Sequence, residues 1–228
     1  MVRLSIVAPA YNEKEKISSF LDSLISVKEH SDIISEIIVV DDGSSDDTSR
    51  LAEKYNVEII RHDTRKGYGA SLKSGIRKAH EPLICIIDSD NTYAADDILR
   101  LASEMDGCDM VVGDRQDSHE RPKDHLVVKK MMEGVLSSIF KTKIMDINSG
   151  IRIMKKDFLT NYLDMLPNGF SFTSSITLIT LLKKRRIKYI PVKYDRRKKG
   201  SKIRRLDFIT AFILSYTRIV YYFLKGSL

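Results

Sequence analysis

Two aspartates, Asp88 and Asp90, directly follow LICII, a short apolar run typical of a buried strand. In an irregular turn after a strand, carboxylates at positions i and i+2 can both reach one octahedral Mg²⁺ or Mn²⁺ and leave sites for water and phosphate oxygens. An alternative is that Asp88 caps the following turn and that Asp90 is solvated. For the pair by itself the two interpretations are equally good, so other motifs must decide between them.

Two earlier apolar runs also end in polar motifs, PAYNE over 9–13 and DDGSSDDT over 41–48. A dehydrogenase would place a glycine-rich turn after its first strand, where backbone amides hold the pyrophosphate, but the sequence contains neither G-x-G-x-x-G nor the P-loop pattern. Carboxylates repel a bare pyrophosphate. A nucleotide bound here therefore needs a divalent cation between its phosphates and an aspartate, and other acids are then available for ribose or base.

These motifs stand at the ends of strands in a regular alternation of strand and helix. β-branched and apolar runs predict strands over Leu4–Ala8, Ile37–Val40, Val57–Arg61, Leu83–Ile87 and Met110–Val112. Helical patterns between them predict helices over Lys14–Val27, Thr48–Tyr55, Tyr68–Ala79 and Asp96–Met105. The fold class is therefore α/β, a mostly parallel central sheet with helices on both faces and ligands at the carboxyl ends of the strands.

Length and composition agree with one main core. The chain has 228 residues, 43% of them hydrophobic and 30% charged, which excludes a disordered or collagen-like protein. Two cysteines are too few for a disulfide framework or a zinc cluster and indicate a reducing, intracellular compartment. The apolar run LSIVAP near the amino end is too short for a signal peptide.

Positive charge is concentrated in one segment. The net charge is +7, yet 13 Lys and Arg lie between Lys183 and Arg205, with Asp195 as the acid among them, so the rest of the chain is mildly acidic. Such a segment indicates a partner with phosphates, either a nucleotide, a nucleic acid or an anionic membrane, although a solvated run of charge is an alternative. Apart from Tyr189 and Tyr194 it lacks interleaved aromatics for base stacking, so we expect no nucleic acid partner.

The sequence after this segment is apolar. Residues 206–224 could nearly cross a bilayer at ~1.5 Å per residue, but Asp207, Arg218 and several tyrosines argue against a span. We therefore expect two parts, a domain over 1–205 and an amphipathic helix over 206–228 that lies on a membrane surface. Packing of this helix on the domain or on a partner subunit in a homodimer, and a transmembrane span, are the alternatives.

Five motifs occur in order and at the right spacing, namely PAYNE, VVDDGSSDDT, KGYGASLKSGI, DSDNTY and DINSGIR. With them the chain resembles the family-2 glycosyltransferases of the GT-A fold, a Rossmann-like fold of nucleotide-diphospho-sugar transferases. Within that family it is most similar to the polyprenyl-phosphate sugar synthases of the dolichyl-phosphate mannose or glucose synthase type. The resemblance runs from Leu4 to about the helix after Ser201. It implies an inverting, Mg²⁺- or Mn²⁺-dependent transfer of a hexose from a GDP- or UDP-sugar to a polyprenyl or dolichyl phosphate.

The resemblance also implies where the enzyme acts, which is the cytoplasmic face of the membrane with peripheral association, and which residues bind the donor. It assigns contact with the base to Pro9, Tyr11 and Glu13, contact with base and ribose to Asp41 and Asp42, a turn over the nucleotide to Lys66 and Gly67, and the metal motif to Asp88, Ser89 and Asp90, where Asp88 and Asp90 are the ligands.

Further along, the resemblance places Arg115 beside the sugar and the acceptor phosphate. It matches Asp146, Ser149, Gly150 and Arg152 to a D-x-x-S-G-F-R segment in which Ile151 replaces the usual aromatic. It assigns pyrophosphate contact to Arg197 with Lys199 and Lys202 nearby, and an acceptor-phosphate contact to Lys129 or Lys130.

The acceptor decides whether the enzyme needs a general base. A lipid phosphate is already an anion and needs only to be positioned by Arg and Lys. A glycan or glycolipid hydroxyl needs a base within reach, for which Asp146 is the candidate, although its position in a turn fits a structural role equally well. A nucleotide-sugar sensor without catalysis is a further alternative.

Overall fold

The computed structural model of the chain describes residues 3–115, 133–134, 136–195 and 205–226. Its strands are β1 (Leu4–Ala10), β2 (Ile34–Asp41), β3 (Glu58–Arg61), β4 (Leu83–Ile86), β5 (Met110–Asp114), β6 (Arg152–Lys155) and β7 (Ile187–Pro191). Its helices are α1 (Ile17–Glu29), α2 (Thr48–Ala52), α3 (Tyr68–Lys78), α4 (Asp97–Ser103), α5 (Lys156–Thr160), α6 (Phe172–Leu182) and α7 (Arg205–Leu224).

The strands form one seven-stranded sheet in the order β3-β2-β1-β4-β6-β5-β7. All neighbouring pairs are parallel except those of β6, which runs antiparallel to both β4 and β5. The predicted mostly parallel sheet is thus confirmed, and the reversed β6 is an addition that the sequence pattern did not predict. Because β6 is reversed, its first residue, Arg152, pairs with Ile86 at the end of β4. The residues before β6 therefore return to the carboxyl edge.

The predicted helices and strands are all present, with ends displaced by up to three residues. Helix α1 begins at Ile17 and not at Lys14, because Lys16 and Ile17 first form a turn in which both backbone amides donate to the carbonyl of Glu13. Helix α2 ends at Ala52 and not at Tyr55. Displacements of this size reflect fraying and local turns at the ends of helices.

Helices cover both faces of the sheet, as predicted. On one face α1 and α4 pack on alternate residues of the strands, for example Phe20 and Leu101 on Ile6 and its neighbours. On the other face α3 and α6 pack on the intervening residues, for example Leu72 on Val7. Strands buried on both sides explain the continuous apolar runs of the sequence.

Helix α7 packs on α6. Ile219 is buried, the Tyr216 hydroxyl donates to the carbonyl oxygen of Ser174 at 3.1 Å, and the hydroxyl oxygens of Ser215 and Ser171 lie 2.9 Å apart. Over the described residues, no helix has the length and apolar character that crossing a membrane requires. The helix therefore has one face on the domain, and the division at residue 205 stays a prediction.

The first part of the basic segment lies at the amino end of β7, at the opposite edge of the sheet from its carboxyl ends. Local acids partly neutralise this part: Lys188 pairs with Glu104, and Arg185 lies 3.8 Å from Asp109. One strand of five residues separates the two edges by about 15 Å at ~3.3 Å per residue. The expectation that the whole segment faces a single anionic partner therefore does not hold for its first part.

Helix α3 tolerates no side chain at Gly75, which gives a test of the packing. A Cβ at this position would lie 2.4 Å from a methyl group of Val7 and 3.1 Å from one of Val40. We expect Gly75→Ala to lower the free energy of unfolding by about 1–3 kcal/mol in urea denaturation, despite the better helix propensity of alanine.

The matched control is Gly134→Ala, also in a helical segment, where nothing lies within 4 Å of the new methyl group. It should be neutral or stabilising by up to ~1 kcal/mol. Equal effects of the two substitutions would contradict this packing of α3 on β1 and β2.

Candidate functional site

A cleft of about 280 Å³ lies at the carboxyl ends of β1 and β4. It is lined by Pro9, Ala10, Tyr11, Glu13, Asp42, Arg65, Tyr68, Ser71, Asp88, Ser89, Asp90, Arg115, Asn148, Gly150, Phe170 and Thr173. Two larger depressions, of about 870 and 900 Å³, lie elsewhere on the described surface. The smaller cleft is the candidate site, because the residues that the motifs single out converge there and parallel sheets bind ligands at this edge.

The Asp88 carboxylate is held between a hydroxyl and a glycine. Its Oδ1 accepts a hydrogen bond from the Tyr68 hydroxyl at 2.9 Å. On the other side lies Gly150, where a Cβ would be 1.9 Å from Asp88 Oδ2. Burial, and then the charge of the nearby Asp90, raise the pKa of Asp88 to about 6. The chain thus holds a carboxylate in an unfavourable electrostatic position that a bound cation would relieve.

The rest of the D-S-D turn is fixed to its surroundings. The Ser89 hydroxyl donates to the carbonyl oxygen of Pro9 at 2.8 Å. Asp90 Oδ1 accepts from the hydroxyl of Thr92 at 2.6 Å and from its amide at 3.2 Å, and Lys16 Nζ donates to the Asp90 carbonyl at 2.7 Å. The turn-capping role considered for Asp88 therefore falls to Asp90, while both aspartates still line the cleft.

The donor set fits a cation that arrives with a phosphate. Over the described ranges, no group of three or more His, Cys, Asp and Glu side chains could hold a metal ion. Mg²⁺ and Mn²⁺ are commonly held in phosphate sites by one or two carboxylates, with waters and phosphate oxygens in the other positions. The pair Asp88 and Asp90, which lines the cleft, matches that arrangement.

A buried network of hydrogen bonds fixes the turn next to the cleft. Asp42 Oδ1 accepts from the Lys66 amide and from His62 Nδ1, each at 2.8 Å, and its Oδ2 accepts from the Gly67 amide at 2.8 Å. His62 Nε2 lies 2.9 Å from the Ser74 hydroxyl on α3. Since Asp42 accepts from Nδ1, we assign the ring proton to that nitrogen. Asp42 is thereby the anchor of this turn as well as part of the cleft wall.

Three residues expected to contact the nucleotide do not line the cleft with their side chains. Lys66 contributes its backbone amide to the Asp42 network, beside Gly67. The cation of this turn that lines the cleft is Arg65, whose guanidinium carbon lies 4.2 Å from the centre of the Tyr11 ring. Asp41 is buried and accepts from the Ser44 amide at 2.9 Å.

Arg115 lines the cleft and is held by Asp146. Its Nε and Nη2 donate to the two Asp146 carboxylate oxygens at 2.6 and 2.8 Å, and its guanidinium lies 5.1 Å from the centre of the Tyr194 ring. Asp146 is fully buried and does not line the cleft. The structure therefore places Asp146 as the residue that orients Arg115.

Arg152 has a structural position. It is completely buried and donates to the carbonyl oxygens of Ile147, Ser149 and Thr173 and to the Thr177 hydroxyl, at 2.8–3.1 Å. These bonds join the loop before β6 to helix α6. The guanidinium thus fixes the backbone that carries Gly150 to Asp88.

Two aromatic residues of the cleft wall were not expected from the sequence. The rings of Tyr68 and Phe170 stack with their centres 5.5 Å apart and an angle of 14° between their planes. The close approach of the loop that carries Phe170 depends on glycine, since a Cβ at Gly69 would lie 2.2 Å from the carbonyl oxygen of Pro167. In the sequence, the glycines of KGYGA indicate that another segment approaches this turn closely. They do not identify that segment.

Several expected site residues lie outside the described ranges. These are Arg197, Lys199 and Lys202 of the basic segment, and Lys129 and Lys130. Pro9, Tyr11, Glu13, Asp42, Asp88, Ser89, Asp90 and Arg115 are brought together as the motifs predicted.

Comparison with known proteins agrees with this geometry. Residues 5–163 match the profile of the family described as Glycosyl transferase family 2. The chain is 27% identical over 217 residues to the UDP-N-acetylglucosamine--dolichyl-phosphate N-acetylglucosaminyltransferase of Methanococcus voltae, an alignment that covers 82% of this chain and 84% of the relative. It is 26% identical over 214 residues to the undecaprenyl-phosphate mannosyltransferase of Micrococcus luteus, with 87% and 86% covered.

Among solved structures, the glucosyl-3-phosphoglycerate synthase of Mycobacterium tuberculosis in complex with Mn²⁺, uridine diphosphate and glucosyl-3-phosphoglycerate is similar. The TM-score is 0.74 at 20% sequence identity, and the match covers 96% of this chain and 80% of that one. At this level of identity the similarity shows the fold alone.

The contact between Gly150 and Asp88 predicts a loss of cation binding on substitution. A methyl group in Gly150→Ala would have to displace the carboxylate or the loop. We expect the affinity for Mn²⁺, measured by calorimetry in the presence of uridine diphosphate, to fall at least about tenfold. The control Gly169→Ala, with nothing within 4 Å of its new methyl group, should bind as the wild type does. Unchanged Mn²⁺ binding in Gly150→Ala would contradict the placement of Asp88 as a ligand.

The Asp42 network predicts that His62 supports nucleotide binding. In His62→Leu both ring hydrogen bonds are lost, so we expect the free energy of unfolding to fall by about 1–3 kcal/mol and nucleoside diphosphates to bind several-fold more weakly, because the turn at 65–67 loses its anchor. His62→Asn can still donate to Asp42 and should restore most of the binding. Calorimetric titration with uridine and guanosine diphosphates measures this.

Ser74→Ala is the control, since it removes only the outer hydrogen bond of the network. A His62→Leu protein that is less stable but binds nucleotide normally would show that His62 supports the fold alone.

Proposed function

Because the chain belongs to glycosyl transferase family 2 and has its GT-A fold, we propose that it transfers a hexose from a GDP- or UDP-sugar to a polyprenyl or dolichyl phosphate. The observation that carries this proposal is the convergence in one cleft of two aspartates, Asp88 and Asp90, with the oriented arginine Arg115. The relatives named after dolichyl-phosphate and undecaprenyl-phosphate transfer support the acceptor class. The bond from the anomeric carbon to the nucleoside diphosphate breaks, and a bond to an acceptor phosphate oxygen forms on the opposite face.

Asp88 and Asp90 would hold the divalent cation, Mg²⁺ or Mn²⁺. When bound, the cation supplies positive charge that stabilises the departing nucleoside diphosphate. The chain's own part is to hold Asp88 between Tyr68 and Gly150, where neutralisation by a cation is favourable. On the donor side, Tyr11, Arg65 and Asp42 form the wall for base and ribose.

On the acceptor side, the oriented group is a cation, Arg115. Arg115 is oriented by both oxygens of Asp146, which leaves the Asp146 carboxylate directed at the arginine. An anionic phosphate acceptor needs an oriented cation and no deprotonation. This arrangement favours a lipid phosphate over a glycan hydroxyl. In this proposal the expected acceptor-side cations Arg197, Lys199 and Lys202 complete the phosphate site.

We further propose that the enzyme works at the cytoplasmic face of the membrane as a peripheral protein. The exposed residues of α7 include Leu214, Tyr221 and Leu224 together with the cation Arg218, and Lys225 follows the helix. Aromatic and apolar side chains beside cations suit an anionic lipid surface. The alternative occupant of this face is a second copy of the chain in a homodimer.

A transfer assay tests the function. Radiolabelled UDP- and GDP-sugars are offered with a polyprenyl phosphate, with Mn²⁺ or with EDTA. We expect labelled lipid only with Mn²⁺, and a loss of at least about 100-fold in Asp90→Ala, because the leaving group loses its charge stabilisation. Asp96→Ala, which removes a carboxylate that does not line the cleft, is the matched control and should keep its activity.

Parallel reactions contain 3-phosphoglycerate or a glycolipid with free hydroxyls as the acceptor. Label in 3-phosphoglycerate or in the glycolipid, with none in the polyprenyl phosphate, would overturn the lipid-phosphate assignment and leave the donor site intact. Hydrolysis of the donor without any transfer would overturn it as well.

A further inference from the structure

Phe170 is an exposed apolar side chain in the cleft that holds the two aspartates. It is 41% exposed and stands in the same wall as Asp88, Asp90 and Arg115. A phenyl ring has no group that binds phosphate, metal or a sugar hydroxyl by hydrogen bonding. An apolar ring exposed at a binding site indicates an apolar partner.

The Phe170 ring is held in place by Tyr68 and by its own loop. It stacks on Tyr68, whose hydroxyl is bonded to Asp88. Its loop is fixed to α3, since the Asn168 carbonyl accepts from the Ala70 amide at 3.0 Å and the Asn168 side chain accepts from Lys73 Nζ at 2.8 Å. Phe170 is therefore a preformed contact surface, which saves the cost of ordering it on binding.

The other exposed large apolar residues show where that surface continues. In the described part of the chain these are Leu214, Val220, Tyr221, Phe223 and Leu224 on α7, and Ile139. Helix α7 touches the cleft wall next to Phe170, because Ser215 lies at hydrogen-bond distance from Ser171. Leu214, the residue before Ser215, is exposed, so the exposed apolar side chains of α7 begin close to Phe170.

The cleft is too small to hold the hydrocarbon of the proposed acceptor, which must therefore leave it. A polyprenyl chain of tens of carbons cannot fit within about 280 Å³, which also has to hold the phosphate end of the acceptor. Beyond the phosphate, the hydrocarbon must follow apolar surface to stay out of water.

We propose that Phe170 binds the first isoprene units of the acceptor and that the hydrocarbon chain leaves the cleft over Phe170 and along the exposed side of α7, past Leu214. This inference rests on the proposed function and deepens it, since it assigns the residue that selects an isoprenoid phosphate over other phosphates. Phe170 contacts the substrate outside the reacting atoms, so its substitution changes acceptor binding and not the chemistry.

The test uses the full chain with Mn²⁺, a saturating donor sugar and two probes, the ten-carbon citronellyl phosphate as acceptor and inorganic phosphate as its competitive inhibitor. In Phe170→Ala we expect the KM for citronellyl phosphate to rise about tenfold, with kcat, the donor KM and the inhibition constant of inorganic phosphate within about twofold of the wild type. Phe170→Leu keeps an apolar side chain and should restore most of the affinity. Ile139→Ala, at an exposed apolar residue that does not line the cleft, is the matched control and should change nothing.

Chain length tests the exit path. In Leu214→Ser we expect the KM for a 55-carbon polyprenyl phosphate to rise at least about threefold, while that for citronellyl phosphate stays unchanged, because only the longer chain reaches α7. A thermal midpoint for each variant identifies losses due to unfolding.

The outcomes separate the inference from the proposed function. An equal loss in Phe170→Ala for citronellyl phosphate and inorganic phosphate, or a raised donor KM, would place the ring against the donor or the phosphate and overturn the inference, while lipid transfer by the wild type would still support the function. A wild type that labels 3-phosphoglycerate and neither lipid phosphate would overturn both.

Discussion

The site depends on the position of one carboxylate. Asp88 is placed where burial and Asp90 both disfavour its charge, and it is held there by the Tyr68 hydroxyl on one side and by the absence of a side chain at Gly150 on the other. A carboxylate in such a place costs stability until a cation neutralises it. The surrounding structure must therefore be rigid enough to prevent the carboxylate from turning away, and most of the fold near the cleft serves that rigidity.

Two devices supply the rigidity, and each uses a buried polar group. Arg152 joins the loop before β6 to α6 through carbonyl oxygens, which fixes Gly150. Asp42 accepts hydrogen bonds from backbone amides of the turn at 65–67 and from His62. These bonds fix the start of α3 and hence Tyr68. Losing these hydrogen bonds would leave a buried polar group without partners, so the bonds favour one arrangement of the loops.

The sheet determines where the cations of the basic segment lie in the fold, although these cations are close together in the sequence. The basic segment crosses the sheet along β7, so its first cations meet Asp109 and Glu104 at the amino edge, away from the cleft. Only the part after β7 starts from the carboxyl edge, and α7 follows it and packs beside the cleft wall at Ser171. For the proposed lipid substrate, a helix with exposed apolar side chains beside the cleft wall is suitable, because the phosphate and the hydrocarbon of such a substrate need different surroundings.

The alternation of apolar runs and amphipathic stretches determined helices α1 to α4, the strands through β5 and the edge of the sheet that binds ligands, because these follow from local periodicity and from the geometry of parallel strands. The polar motifs at strand ends likewise placed Asp88 and Asp90 in the site, and the family resemblance added Arg115. The reversed strand β6 could not be predicted, since the direction of four residues depends on their partners in the sheet. For the same reason only the tertiary structure decided that Arg65 and not Lys66 lines the cleft, that Asp146 orients Arg115, and that Tyr68 and Phe170 stand beside Asp88. Each of these is a contact between segments distant in sequence, and local pattern carries no information about such contacts.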